Sequence, residues 1–151
     1  MSINRYLDEN TRQKVRQRAN LLCEYCHTSE KWQYVQFTID HIIPLDQGGT
    51  NALNNLALAC FHCNRKKSNK TIAIDPKLNT EVSLFNPRLA QWKEHFIWSK
   101  DRLYIIGLTS VGRATIKLLE LNRMRIIEIR GSDLIVGRHP PKDDPMIDDK
   151  D

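Results

Sequence analysis

The sequence predicts an α+β fold, and three observations carry that prediction. A β-rich run, QYVQFTI at 33–39, and a short apolar run, LALA at 56–59, are separated by a loop containing Pro44, Gly48 and Gly49. A stretch free of Gly and Pro, TRQKVRQRANLL, precedes them and is rich in helix formers. The four cysteines fall into two C-x-x-C pairs, Cys23/Cys26 and Cys60/Cys63, which bracket the strand–loop–strand segment.

In chain order, Asp8, Glu9, Asn10 and Thr11 supply N-cap and first-turn chemistry, so a helix is expected over about 9–21, running into the first knuckle, CEYC. Val15 and Leu22 face its core side, and Arg12, Lys14, Arg16 and Arg18 stay in solvent. The strand at 33–39 ends at Asp40-His41, and 56–59 is the return strand. After the second knuckle, Asn64-Arg65-Lys66-Lys67-Ser68-Asn69-Lys70 begins a polar, basic helix. DPKLNTEVSLFNPR has the turn residues of an extended linker, and HFIWSKDRLYIIGLT reads as a hairpin turning at Ser99-Lys100-Asp101. Apolar residues at 111, 114, 118 and 121 give helical spacing over 110–130, with Ser110 as a cap. Trp32, Trp92 and Trp98 are expected to be packing anchors. The expected division is 1–72, 73–141 as an accessory segment packed on it, and a disordered acidic tail at 142–151.

The chain has 151 residues and a formal net charge of +5. The last ten residues hold five Asp and two Lys, so residues 1–141 carry 21 Lys and Arg against 13 Asp and Glu, or +8. A body this basic points to a polyanionic partner, nucleic acid first. No apolar run approaches the ~20 residues of a membrane span, and the N-terminus has no secretory apolar region, so a cytosolic location without membrane association is expected. In that compartment thiols stay reduced, which disfavours disulfides. Two C-x-x-C knuckles instead set Cys23, Cys26, Cys60 and Cys63 as four thiolates around a structural Zn²⁺. A thioredoxin-like redox site would need only one such pair.

Between the knuckles lie the groups that phosphodiester hydrolysis requires: a base to activate water and a hard cation to offset developing charge. Asp40 offers an oxygen ligand for a hard divalent cation. His41, of a residue type whose unperturbed pKa is about 6.5, suits proton abstraction near neutral pH.

The span 40–67, D-H-I-I-P-L-D-Q-G-G-T-N-A-L-N-N-L-A-L-A-C-F-H-C-N-R-K-K, resembles the HNH endonuclease family, in its branch braced by two C-x-x-C pairs. The resemblance covers about 9–70 and rests on His41, Asn55 and Asn64, spaced by 14 and then 9. It implies a zinc-braced ββα-metal core with His41 as general base and Asp40 and Asn64 as ligands of a catalytic Mg²⁺ or Mn²⁺. It also implies that Asn55 holds the loop and orients the base, with Asn51 and Asn54 as loop residues only. A helix presented to the scissile strand would bring Arg65, Lys66, Lys67 and Lys70 to the phosphate backbone. Asn at position 64 departs from the family's namesake histidine, which leaves the choice of metal open. The expected function is cleavage of DNA, with one alternative: a non-catalytic zinc-braced DNA-binding module. Biological role, sequence specificity and oligomeric state are not encoded in any motif of the chain.

Overall fold

The computed structural model describes residues 5–148. The chain forms two compact units, one of residues up to 71 together with 86–89, the other of 72–85 and 90 onward. It mixes helices with three separate two-stranded antiparallel sheets.

In the first unit, helix α1 (Glu9–Arg18) starts because Asp8 Oδ1 accepts a hydrogen bond from the Thr11 N–H at 2.7 Å. It ends earlier than the expected residue 21. Asn20 and Leu21 both adopt positive φ, 53° and 60°, which turns the chain into the first knuckle. Val15 is fully buried and Leu22 half-buried, while Arg12, Lys14 and Arg18 are exposed.

Strand β1 (Thr38–His41) pairs with β2 (Leu56–Ala59), placing Asp40 opposite Ala57 and His41 opposite Leu56. β1 begins five residues later than the expected strand. The Phe37 N–H donates to Glu30 Oε2 at 2.9 Å, and residues 31–36 are all exposed. All four residues of β2 are completely buried, the reason a four-residue apolar run suffices as a strand here. The first knuckle is stitched to β2 through Glu24, whose backbone N–H donates to the Leu58 carbonyl and whose Oε2 accepts from the Leu58 N–H, both at 2.8 Å. Helix α2 (Phe61–Lys67) follows directly, starting within the second knuckle rather than after it.

In the second unit, β3 (Ile72–Asp75) and β4 (Thr80–Ser83) form a hairpin where an extended linker was expected. The residues that read as a linker, Pro76 to Asn79, make its turn, with Asn79 at φ 55° and its N–H bonded to the Asp75 carbonyl. Helix α3 (Trp92–His95) leads into the hairpin of β5 (Phe96–Trp98) and β6 (Ile105–Gly107), which matches the hairpin read at 95–109. The helical stretch after residue 110 is two helices, α4 (Ser110–Leu119) and α5 (Met124–Ile135). Glu120, left-handed at φ 49°, breaks them, and the cap of α4 is Thr109, one residue before the expected Ser110. Trp92 and Trp98 are buried with Phe85 and Phe96 in an aromatic core, whereas Trp32 of the first unit is 44% exposed and anchors no core. The segment expected to be disordered from 142 is ordered as far as 148: the Trp98 N–H donates to the Pro145 carbonyl, and the Ile147 N–H to the Trp98 carbonyl, both at 3.0 Å. Residues 149–151 of that tail lie outside the described range.

Candidate metal centres and active-site cleft

The four cysteines converge. Their sulfurs all lie within 4.8 Å of one another, and every one is buried. Zinc–sulfur bonds of about 2.3 Å place tetrahedral sulfurs about 3.8 Å apart, and Cys26 Sγ to Cys60 Sγ is 3.8 Å. Backbone N–H groups support the cluster in the manner of a knuckle: Cys26 N–H donates to Cys23 Sγ at 3.5 Å and Cys63 N–H to Cys60 Sγ at 3.4 Å. Burial pushes Cys23 up, the neighbouring thiols push Cys63 up, and hydrogen bonds from the same neighbours hold Cys26 down. A divalent cation removes that conflict, so the donor set fits structural zinc. Four thiolates close its coordination sphere, leaving no position for substrate. The ligands come from the turn after α1, the end of β2 and the start of α2, so the cluster ties together the elements on either side of the β-hairpin.

A cleft of about 310 Å³ lies beside this brace, lined by Arg5, Ile39, Asp40, His41, Pro44, Leu45, Asp46, Asn64, Ser68 and Asn69. Three of the four residues expected to act together, Asp40, His41 and Asn64, thus line the same cleft. Asp40 and His41 are adjacent at the end of β1, and Asn64 is on the second turn of α2. The carboxylate of Asp40 and the amide oxygen available to Asn64 are hard donors suited to Mg²⁺ or Mn²⁺.

Asn55 is buried and braces the loop after β1. Its Oδ1 accepts from the Ile43 N–H at 2.9 Å, and its Nδ2 donates to the carbonyls of Ile43 at 3.0 Å and Thr50 at 2.9 Å. Gly49 is required at this point, because a Cβ there would lie 1.8 Å from the Ile43 carbonyl oxygen and 2.9 Å from Asn55 Nδ2. The hydrogen bond to the imidazole comes from a different asparagine. His41 Nε2 is 2.8 Å from Asn51 Oδ1. In the tautomer that donates Nε2–H to this amide oxygen, Nδ1 is the ring atom left to accept a proton. Asn51, expected as a loop residue, is the imidazole's partner, and Asn55 reaches only backbone. Asn54 is exposed.

Lys67 departs from its expected place. Rather than reaching outward to phosphate, it is 1% exposed and pairs with Asp40, with Nζ 3.1 Å from Oδ2 and 3.3 Å from Oδ1. Nζ also donates to the carbonyls of His41 at 3.3 Å and Ile42 at 3.0 Å. The position on α2 accounts for this: Lys67 is three residues after Asn64 and four after the fully buried Cys63, on the face turned to β1. Arg65 and Lys70 are exposed and Lys66 half-buried. The buried Tyr25 hydroxyl donates to Asp40 Oδ2 at 2.7 Å. Burial pushes the Asp40 carboxyl above its ordinary value, and the Lys67 ammonium and Tyr25 hydroxyl pull it back. Burial and the neighbouring Asp40 charge both raise Tyr25, keeping the phenol protonated as a donor. No sequence signal marks Tyr25, which sits inside a knuckle, or Lys67, which sits in a run of cations.

The family model described as HNH endonuclease matches residues 21–70, the segment that contains both knuckles, the β-hairpin, α2 and the cleft wall. No curated protein and no solved structure matches the chain. Among the described residues no helix is long and apolar enough to cross a membrane.

Proposed function

With residues 21–70 standing as an HNH domain, we propose that this chain is a metal-dependent endonuclease hydrolysing phosphodiester bonds of DNA. The observation that carries the reading is that Asp40, His41 and Asn64 line the same cleft. His41, its Nε2–H donated to Asn51, presents Nδ1 to take a proton from the attacking water. Asp40 and Asn64 would hold Mg²⁺ or Mn²⁺, which when bound supplies electrostatic stabilisation of the charge that builds on the phosphodiester. Asn55 and Gly49 keep the loop after β1 in place, so His41 cannot drift from the cleft. Arg65, Lys66 and Lys70 on and after α2 are proposed to contact the DNA backbone; Lys67, being buried, is not. Residues 73–141 are proposed as an accessory segment, and the protein is proposed to act in the cytoplasm.

A plasmid-nicking assay with Mg²⁺ or Mn²⁺ compares wild type with His41→Ala. Nicking by wild type and a loss of about a hundredfold or more in the variant are expected, at unchanged zinc content. Equal nicking by both removes His41 as the base. One observation favours the alternative of a zinc-braced DNA-binding module: the carboxylate expected to hold the cation, Asp40, is buried and already paired with Lys67. Duplex binding without nicking under either metal would establish that reading instead.

A further inference from the structure

The pairing of Asp40 with Lys67 has a consequence for the cation. Ionisable side chains that line the cleft are Arg5, Asp40, Asp46 and His41, and the Lys67 ammonium lies directly behind Asp40. Two carboxylates, Asp40 and Asp46, stand against two permanent cations, Arg5 and Lys67, and Asn64 adds no charge. Sites that bind divalent cations on protein ligands alone gather several carboxylates, whereas Mg²⁺ sites commonly combine one or two carboxylates with substrate phosphates. Asp40 is further committed, since Oδ1 accepts from Lys67, Oδ2 accepts from Tyr25, and Oδ2 also pairs with the Lys67 ammonium. Lys67 cannot swing away to release it, because two backbone carbonyls also hold Nζ and the side chain is sealed from solvent.

On the nuclease reading above, we propose that Lys67 cancels the charge of Asp40 so that the cleft takes its divalent cation together with the phosphodiester rather than before it. The phosphodiester supplies the negative charge that the protein side lacks. Lys67 is thus a positioning residue: it fixes the Asp40 carboxylate and sets the order of assembly without touching the scissile group. Binding free energies are reciprocal, so a cation that needs DNA must tighten DNA by the same factor.

The test uses Mn²⁺ and a short DNA duplex, with the full-length, zinc-loaded His41→Ala chain so that no cleavage intervenes. Mn²⁺ binding to the free chain is read by electron paramagnetic resonance. Duplex affinity is read by fluorescence anisotropy at constant ionic strength, with and without Mn²⁺. Weak Mn²⁺ binding to the free chain is expected, with DNA tightened about tenfold or more by Mn²⁺ and that gain lost in Asn64→Ala. Lys67→Gln should tighten Mn²⁺ on the free chain about tenfold and shrink the coupling by the same factor. Should Lys67→Gln lose zinc or its melting transition, Arg5→Gln makes the same change of charge at an exposed position and is expected to tighten free-chain binding in the same direction. Tight Mn²⁺ binding without DNA, or an affinity unmoved by the folded charge variants, overturns the proposal. If wild type still nicks plasmid in that case, the nuclease reading stands. If it neither nicks nor gains DNA affinity with Mn²⁺, both fall.

Discussion

The Oδ1 of Asn51 accepts from His41 Nε2, whereas Asn55 directs all three of its hydrogen bonds to backbone at Ile43 and Thr50. Removing each should therefore damage a different property. Asn51→Ala frees the imidazole to rotate and to change tautomer. Its nicking rate should fall roughly ten- to a hundredfold, the cost of losing an orienting partner of a functional histidine, with its melting temperature close to wild type. Asn55→Ala strands the Ile43 N–H and two carbonyls inside the loop, so it should lose about 1–3 kcal/mol of stability, seen as an earlier thermal transition. A melting temperature unmoved by Asn55→Ala would remove it as the loop's brace. Both asparagines stand in the same N-rich stretch of sequence, and their spacing cannot say which one reaches the ring. That depends on the path of the loop, which passes so close to Ile43 that only glycine fits at position 49.

Elements differ in how plainly the sequence announces them. The two knuckles and the return strand are legible because each is local: C-x-x-C fixes its own geometry, and LALA is a short apolar run between two asparagines and the second knuckle. The β3–β4 hairpin is hidden because its turn, Pro76 to Asn79, uses the same residues a linker uses, and only the partner strand distinguishes them. The break between α4 and α5 is hidden for a similar reason, since Glu120 adopts its left-handed conformation without a glycine. The burial of Lys67 is invisible because its anchor, Asp40, is 27 positions away. Two predictions belong at this level. The zinc cluster joins three elements too short to hold themselves, so metal analysis should find about one tightly held zinc per folded chain. Stripping it with a thiol-reactive agent plus chelator should abolish the cooperative melting of the first unit; folded protein devoid of zinc would refute the cluster's role. In the second unit the Arg113 guanidinium donates from Nε and Nη2 to the two oxygens of the fully buried Asp75, at 3.0 and 2.7 Å, joining α4 to the β3 end. That hydrogen bonding holds the Asp75 carboxyl below its ordinary value of 3.8. A depressed carboxyl contributes stability that is complete above its unfolded value and fades as pH falls through the folded one. Acid titration of the melting temperature should therefore show a loss setting in below about pH 4, and Arg113→Met should flatten that part of the curve.

At the scale of the whole chain, the two units are interleaved rather than consecutive. The segment 86–89 returns to the first unit after β3 and β4 have been laid down in the second. What it delivers is Arg88, whose guanidinium pairs with Glu24 Oε1 and donates from Nη1 to the Leu56 carbonyl at 3.2 Å. Glu24 sits within the first knuckle and is itself bonded to Leu58 of β2, so Arg88 is the outer member of a network around the zinc-braced sheet. The pair is only slightly exposed, 14% for the arginine side chain and 11% for the glutamate, so solvent screens it little and breaking it leaves a carboxylate poorly hydrated. A chain truncated at the expected boundary after residue 72 loses this arginine along with everything else. It should melt lower and hold zinc less tightly than the same domain within the full chain. To separate Arg88 from the other residues beyond 72, Arg88→Met in the full-length chain should reproduce a large part of that loss, on the order of 3 kcal/mol for a partly buried pair with one member removed. Glu24→Gln combined with Arg88→Met should recover some of it, because no unpaired carboxylate then remains. If Arg88→Met leaves the zinc-dependent transition unchanged while truncation lowers it, the stabilisation comes from other residues beyond 72, and the network around Glu24 is not what ties the late segment to the rest of the first unit.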